Sequence, residues 1–329
     1  MSVPIPPPGV YVPVPTFYRS TAEARSAGLL QAKVDVETQT AHSIFLAKAG
    51  IEGLVLLGST GEAIHLNRQE RLDLVSGVRR GLDDAGFRDY PIMAGVLTNG
   101  VDETLEWLRD YAEAGAQWGL VLVPGYFGVG ADQEGIKEWY TIIADNSPIP
   151  ILIYNYPGVT NNVLVSPSTY TSLASHPKIV GCKMSHGNVS HHVQVSLDPR
   201  IDHDSFRVYS GFGQQLGPIV AFGAAGVIDG LAAIYPKTVV ALYHAVTKWN
   251  AGDASVSGEV RRLQYVVSRA EEFVVKTGVV GIKDAVKRVT GLGFNEGGRL
   301  PLKRTLADGE WDELRATYLA DIEKEEASL

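Results

Sequence analysis

Residues 151–184 read ILIYNYPGVTNNVLVSPSTYTSLASHPKIVGCKM. An apolar run at 151–155 meets Tyr156 and Pro157, a stretch with helical spacing follows at 166–175, and a second apolar run occupies 179–183. Nearly continuous apolar runs, as opposed to alternating ones, belong to strands buried on both faces, and a helix between two of them implies a parallel pair. The same order recurs in both directions. Strands are predicted at 9–17, 53–57, 92–96, 119–123, 207–210 and 226–228, which makes eight with the two already quoted. Helices are predicted at 35–49, 67–82, 102–114, 132–146, 188–196, 214–222 and 236–250. Asn67 with Glu70 three positions on, and Asp132, carry helix-start chemistry.

Eight strand–helix units within residues 9–250 match the size of a closed (β/α)8 barrel, an α/β fold of the TIM type. The rival, an open doubly wound sheet, would carry G-x-G-x-x-G after its first strand, and no such run stands there. Residues 1–250 are therefore expected to form the barrel, and 251–329 a helical C-terminal extension packed on it, with helices at 256–276, 281–289 and 307–325. The segment 291–301 is the expected mobile loop.

The 329 residues are 45% hydrophobic and 20% charged, a folded composition. Acidic residues outnumber basic ones 37 to 29, a net charge of −8 with no basic footprint, so no nucleic-acid partner is expected. Cys182 is the single cysteine, which excludes an internal disulfide and a multi-cysteine zinc site and suits a reducing compartment. Residues 1–15 are apolar but interrupted by Pro4, Pro6, Pro7, Pro8, Pro13 and Pro15, unlike a signal peptide. No apolar run reaches the ~18 residues of a membrane span, so the expectation is a cytoplasmic protein with no membrane partner.

In a parallel barrel the reactive groups sit where strands end. The second strand runs into Gly58-Ser59-Thr60-Gly61-Glu62, a turn whose hydroxyls and backbone N–H groups suit a carboxylate or phosphate. Read alone, such a turn is more often only a tight βα connection. Tyr154 at the end of the fifth strand needs a hydrogen-bond partner and is suited to relaying protons, or is a core-edge tyrosine satisfied by backbone. Lys183 ends the sixth apolar run; desolvated there it becomes an amine nucleophile, whereas a snorkelling lysine would stay solvated. Tyr154 and Lys183 are 29 positions apart, one βα unit, which puts them on adjacent strands about 4.8 Å apart.

Taken together, Gly58-Ser59-Thr60-Gly61-Glu62, Tyr154-Asn155-Tyr156-Pro157 and Val180-Gly181-Cys182-Lys183 resemble, in order and spacing, the class I aldolase family of dihydrodipicolinate synthase and N-acetylneuraminate lyase. The resemblance implies that Lys183 forms a Schiff base with pyruvate or another 2-oxo acid and that Tyr154 shuttles protons. It implies that Ser59 links Tyr154 to a second tyrosine, Tyr126, lent by a neighbouring subunit of a homo-oligomer, a dimer or tetramer. Thr60, with Gly58 and the nearby backbone, would hold the carboxylate, and Ser185, Gly211, Ile228 and Asp229 would line the substrate. No metal and no organic cofactor are expected, because the imine itself is the electron sink.

Departures from the family pattern narrow the substrate. The synthase's carboxylate-binding arginine is replaced by Val159, and the acidic pair of the neuraminate lyase by Gly213 and Gln214. The sequence is most similar to fungal aldolases that cleave 2-keto-3-deoxy-L-galactonate (L-threo-3-deoxy-hexulosonate) to pyruvate and L-glyceraldehyde in galacturonate breakdown. A 4-hydroxy-2-oxoglutarate aldolase, a dehydratase using the same imine and a non-enzymatic sensor are the alternatives. Gly211-Phe212-Gly213-Gln214-Gln215-Leu216-Gly217 fails the dinucleotide spacing and reads as a turn. His186, His191 and His192 lack a further ligand type at metal spacing.

Overall fold

Strands buried on both faces have no tolerable edge, and pairing the first with the last removes it. The computed structural model describes residues 3–294, 296–302 and 304–329. Eight parallel strands close in sequence order: β1 Gly9–Pro13, β2 Gly53–Leu56, β3 Ile92–Val96, β4 Trp118–Leu122, β5 Ile151–Asn155, β6 Ile179–Met184, β7 Arg207–Ser210 and β8 Gly226–Ile228, with β8 paired to β1. The helices are α1 Thr21–Ser26, α2 Val36–Lys48, α3 Arg68–Asp84, α4 Val101–Ala114, α5 Gln133–Asn146, α6 Pro167–Leu173, α7 Val189–Ser196, α8 Leu216–Ala221, α9 Pro236–Asn250, α10 Ser257–Thr290, α11 Asp308–Leu314 and α12 Ala320–Ser328. The fold is thus the expected (β/α)8 barrel with a C-terminal helical extension.

Short polar residues start the outer helices. Asp35, Asn67, Asp132, Ser166 and Asn188 each accept a hydrogen bond from the backbone N–H three residues on, and Asn67 and Glu70 complete a reciprocal capping box. Each cap contributes about 1 kcal/mol. Two apolar clusters result: a large one between strands and helices, and a smaller one inside the barrel around Tyr11, Met93, Trp118, Leu152 and Tyr209.

The proline-rich start closes the inner cluster. Tyr11 and Tyr209 donate their hydroxyls to the Pro7 carbonyl (3.0 and 2.8 Å), and the Trp118 indole N–H donates to the Pro4 carbonyl (2.8 Å). Prolines lack an N–H to leave unpaired, so a carbonyl-rich segment suits three buried donors.

Several expected boundaries move. The first strand stops at Pro13, four residues short of the expected end at 17, because the chain turns there and Thr16 donates instead to the Gly61 carbonyl (2.6 Å). Residues 213–215 form a 3-10 turn ahead of α8, shortening the helix expected at 214–222. The helix expected at 307–325 is two helices joined by a π turn at Arg315–Leu319, and α1 was not anticipated. The helices expected at 256–276 and 281–289 run on as α10 across a break at Gly278 (φ 61°, ψ −151°), a conformation open to glycine almost alone. In the expected mobile loop, Asn295 lies outside the described residues, while Arg299 is buried and ion-paired to Glu70.

Candidate active site

Parallel register decides which strand ends meet. Tyr154 of β5 stands opposite Lys183 of β6, and the Lys183 Nζ lies 4.7 Å from the centre of the Tyr154 ring. Lys183 is only 5% exposed. Burial disfavours its ammonium and pulls its pKa down to about 7, against the opposing pull of the Asp229 carboxylate. A good fraction of the amine is therefore free at neutral pH. The Tyr154 hydroxyl and the Ser59 Oγ are 3.2 Å apart. Burial pushes the phenol up, and hydrogen bonds from Ser59 and Ser185 offset part of that.

These groups border a cavity of about 290 Å³ at the C-terminal mouth. Ser59, Thr60, Tyr154, Lys183, Ser185, Gly211 and Ile228 line it, with Tyr156 stacked on Tyr154 (ring centres 6.2 Å apart). Glu271, Val275, Gly278 and Val279 of α10 form the remaining wall, so the extension closes the barrel mouth. A Cβ on Gly211 would lie 1.9 Å from the Ser185 Oγ, which explains why that strand end is bare. The Ser59 loop is held from below. Glu62, fully buried in its side chain, receives the Lys283 Nζ (2.7 Å) and the Arg299 backbone N–H (3.1 Å).

A family model described as the dihydrodipicolinate synthetase family matches residues 28–318, across barrel and extension alike. The chain belongs to this family. It is 33% identical to an L-threo-3-deoxy-hexylosonate aldolase of Hypocrea jecorina over 92% of this chain and 93% of that one. It is equally 33% identical to a probable mitochondrial 4-hydroxy-2-oxoglutarate aldolase of Emericella nidulans, covering 87% of this chain and 86% of the other. Among solved structures, a dihydrodipicolinate synthase family protein from Coccidioides immitis superposes with a TM-score of 0.80 at 28% identity, covering 100% of both chains. The chain is accordingly a lyase of the aldolase type.

Three of the expected site positions are not among the residues lining the cavity. Gly58 stays behind its loop, where a Cβ would lie 3.6 Å from Val55; its part is the turn. The Asp229 carboxylate is turned away from the lining and buried against Glu271. Tyr126 is 75% exposed and stands in a separate groove that shares Ser59, Tyr156 and Val279 with the cavity. Its loop is fixed: Asn99 accepts the Gly125 and Tyr126 N–H groups (3.0 and 3.1 Å), and the Asn161 amide donates to both carbonyls. Within one chain, Tyr126 is not among the residues lining the cavity of Tyr154 and Lys183.

Sequence reasoning missed Tyr156 and Glu271. Tyr156 stood inside a quoted motif. Glu271 carried a weaker signal, an acidic residue four positions after Val267 on the apolar face of a predicted helix. The glycine-rich 211–217 segment is a tight connection: the Ser210 hydroxyl donates to Gln215, whose amide donates to the His186 carbonyl. Both ring nitrogens of His192 face backbone carbonyls (2.9 and 3.1 Å). Among the described residues no group of three His, Cys, Asp or Glu is placed to hold a metal ion, and no helix is long and apolar enough to cross a membrane.

Proposed function

We propose that the chain is a Schiff-base aldolase that reversibly cleaves a 2-keto-3-deoxy sugar acid, best L-threo-3-deoxy-hexulosonate, to pyruvate and L-glyceraldehyde, as in galacturonate breakdown. The observation that carries this reading is the desolvated Lys183 amine against the Tyr154 phenol, with Ser59 on the phenol oxygen. The Lys183 Nζ adds to the C2 ketone, and the Tyr154 phenol gives its proton to the departing hydroxyl, so loss of water leaves a protonated imine and a Tyr154 phenolate. Tyr154 then takes the proton of the C4 hydroxyl, the C3–C4 bond breaks, and its electron pair moves into the imine to give an enamine and the aldehyde. Protonation at C3 and hydrolysis release pyruvate and regenerate the amine. The protonated imine is the only electron sink required, so no cofactor enters the scheme.

Thr60 and the neighbouring backbone suit the substrate carboxylate, and Ser185 an adjacent hydroxyl. Tyr126 completes the relay from a second copy of the chain, as a homodimer or tetramer. The exposure of Tyr126, Phe127 (81%) and Val129 (101%) on one loop supports that role. The compartment that suits the lone, fully buried Cys182 is the cytoplasm.

The Emericella relative favours 4-hydroxy-2-oxoglutarate as a second reading. That substrate carries two carboxylates. Among the described lining residues Lys183 is the sole cation, and α10 contributes Glu271 and apolar side chains, which favours a hydroxylated tail over a second anion. The test is borohydride reduction with pyruvate: a mass increase confined to Lys183, lost in Lys183→Ala together with turnover. A panel of 2-keto-3-deoxy acids, with pyruvate and aldehyde both measured, separates substrates. Release of pyruvate from 4-hydroxy-2-oxoglutarate alone, or product without aldehyde, refutes the sugar-acid reading.

A further inference from the structure

Near Lys183 are two carboxyl groups that the scheme above does not use. Asp229 follows β8 and is 1% exposed; Glu271 comes from α10 and is 3% exposed. They converge on one point. A Cβ on Gly213 would lie 2.5 Å from the Glu271 Oε1 and 2.9 Å from the Asp229 Oδ2, and among the described residues no other group hydrogen-bonds these two oxygens. A hydrogen bond joins the two carboxyl groups, which needs a proton on one of them, and burial together with the like charge disfavours ionising both. Two protons would leave the Lys183 ammonium without an anion. The distribution of donors is unequal: the Asp229 Oδ1 accepts the Leu231 N–H (3.2 Å) and the Ala232 N–H assists, while Glu271 has the Gly213 N–H. The better-solvated partner keeps the charge.

We propose that Asp229 and Glu271 form an acid pair holding one proton, with Glu271 protonated and Asp229 ionised, and that its single charge is the counter-ion of Lys183 and of the imine formed there. Both are positioning residues, and the proposal rests on the imine reading of Lys183. The charged and titratable groups facing the pair are Lys183 from β6 and, beside it on α10, Glu272; Tyr154 from β5 faces Lys183 on its other side. The direction of each shift agrees. Burial, then Asp229, raises Glu271 well above the ordinary carboxyl range; Asp229 itself is raised by burial and held back by Glu271, backbone N–H groups and Lys183. The extension helix thereby sets the charge state of a nucleophile in the barrel.

The test follows the pH dependence of borohydride labelling of Lys183 with pyruvate. Glu271→Gln keeps a donor opposite Asp229, so the acidic limb stays where it is, whatever happens to turnover. The double variant Asp229→Asn/Glu271→Gln removes the charge and moves the limb to lower pH by about 1 unit or more, the usual effect of one opposite charge nearby. An unmoved limb in the double variant, or an equal shift in Glu271→Gln, overturns the proposal. Infrared difference spectra check the pair without relying on the double variant's fold. The wild type at pH 7 has a protonated-carboxyl band that Glu271→Gln lacks, and absence of that band also overturns it. Failure of the imine reading looks different: wild-type Lys183 is then not labelled at all.

Discussion

Two buried carboxylate centres flank the barrel mouth, both tied to α10, and they are neutralised in opposite ways. On one side Glu62 is surrounded by donors: the Lys283 Nζ at 2.7 Å, the Arg299 N–H at 3.1 Å and the His65 Nδ1 at 3.2 Å. On the other side Asp229 and Glu271 face one another. The first arrangement is an anchor. Glu62 adopts a left-handed backbone (φ 52°) at the end of the Ser59 loop, and the ion pair fixes that loop to the extension. The second keeps a charge beside Lys183. Gly278 lies between the two on the same helix, where the chain changes course over the cavity.

The largest expected difference comes from breaking the anchor. Lys283→Met takes the ammonium off a buried carboxylate, which costs about 3 kcal/mol of stability. Adding Glu62→Gln to it should recover most of that loss in urea unfolding, since the unpaired charge goes too. If the double variant is no more stable than the single, the ion pair is not what fixes the loop.

Straightening the junction has a smaller effect. Nothing lies within 4 Å of a Cβ placed on Gly278, so the cost of Gly278→Ala is backbone strain alone, about 1–3 kcal/mol. Thermal unfolding reads that cost. A retained cavity with a lowered melting temperature agrees with it, and an unchanged melting temperature contradicts it.

The smallest effect distinguishes the acid pair. Glu271 titrates above its ordinary 4.5 in the folded chain, because burial and Asp229 penalise its anion. Its contribution to stability is therefore whole below pH 4.5 and declines as pH rises through the folded pKa. Glu271→Gln has no such slope. Between about pH 5 and 6 the variant should gain about 1 kcal/mol on the wild type. Parallel stability curves for the two would mean that Glu271 titrates normally.

The two centres were not equally legible. Glu62 stood in a quoted motif beside Ser59, although its partner Lys283 is 221 residues away and was not foreseen. Asp229 was expected to touch substrate; the structure turns it onto Glu271, a residue that no motif marked. Tyr154 and Lys183 were legible because one βα unit of parallel sheet fixes their register. Tyr126 was expected by resemblance alone, and the structure shows it 75% exposed on its loop.

The sequence by itself determined the closed barrel, its helix starts and the Tyr154–Lys183 pair. Apolar runs, caps and one-unit spacing act over a few residues or one repeat, so their consequences follow from local order. Only the tertiary structure decided how α10 lies over the mouth, which carboxylates are paired with cations and which with each other, and hence the charge that Lys183 meets. Those outcomes depend on burial and on contacts between residues 42 to 237 positions apart, where solvent exclusion and not sequence proximity sets the energy of each charge.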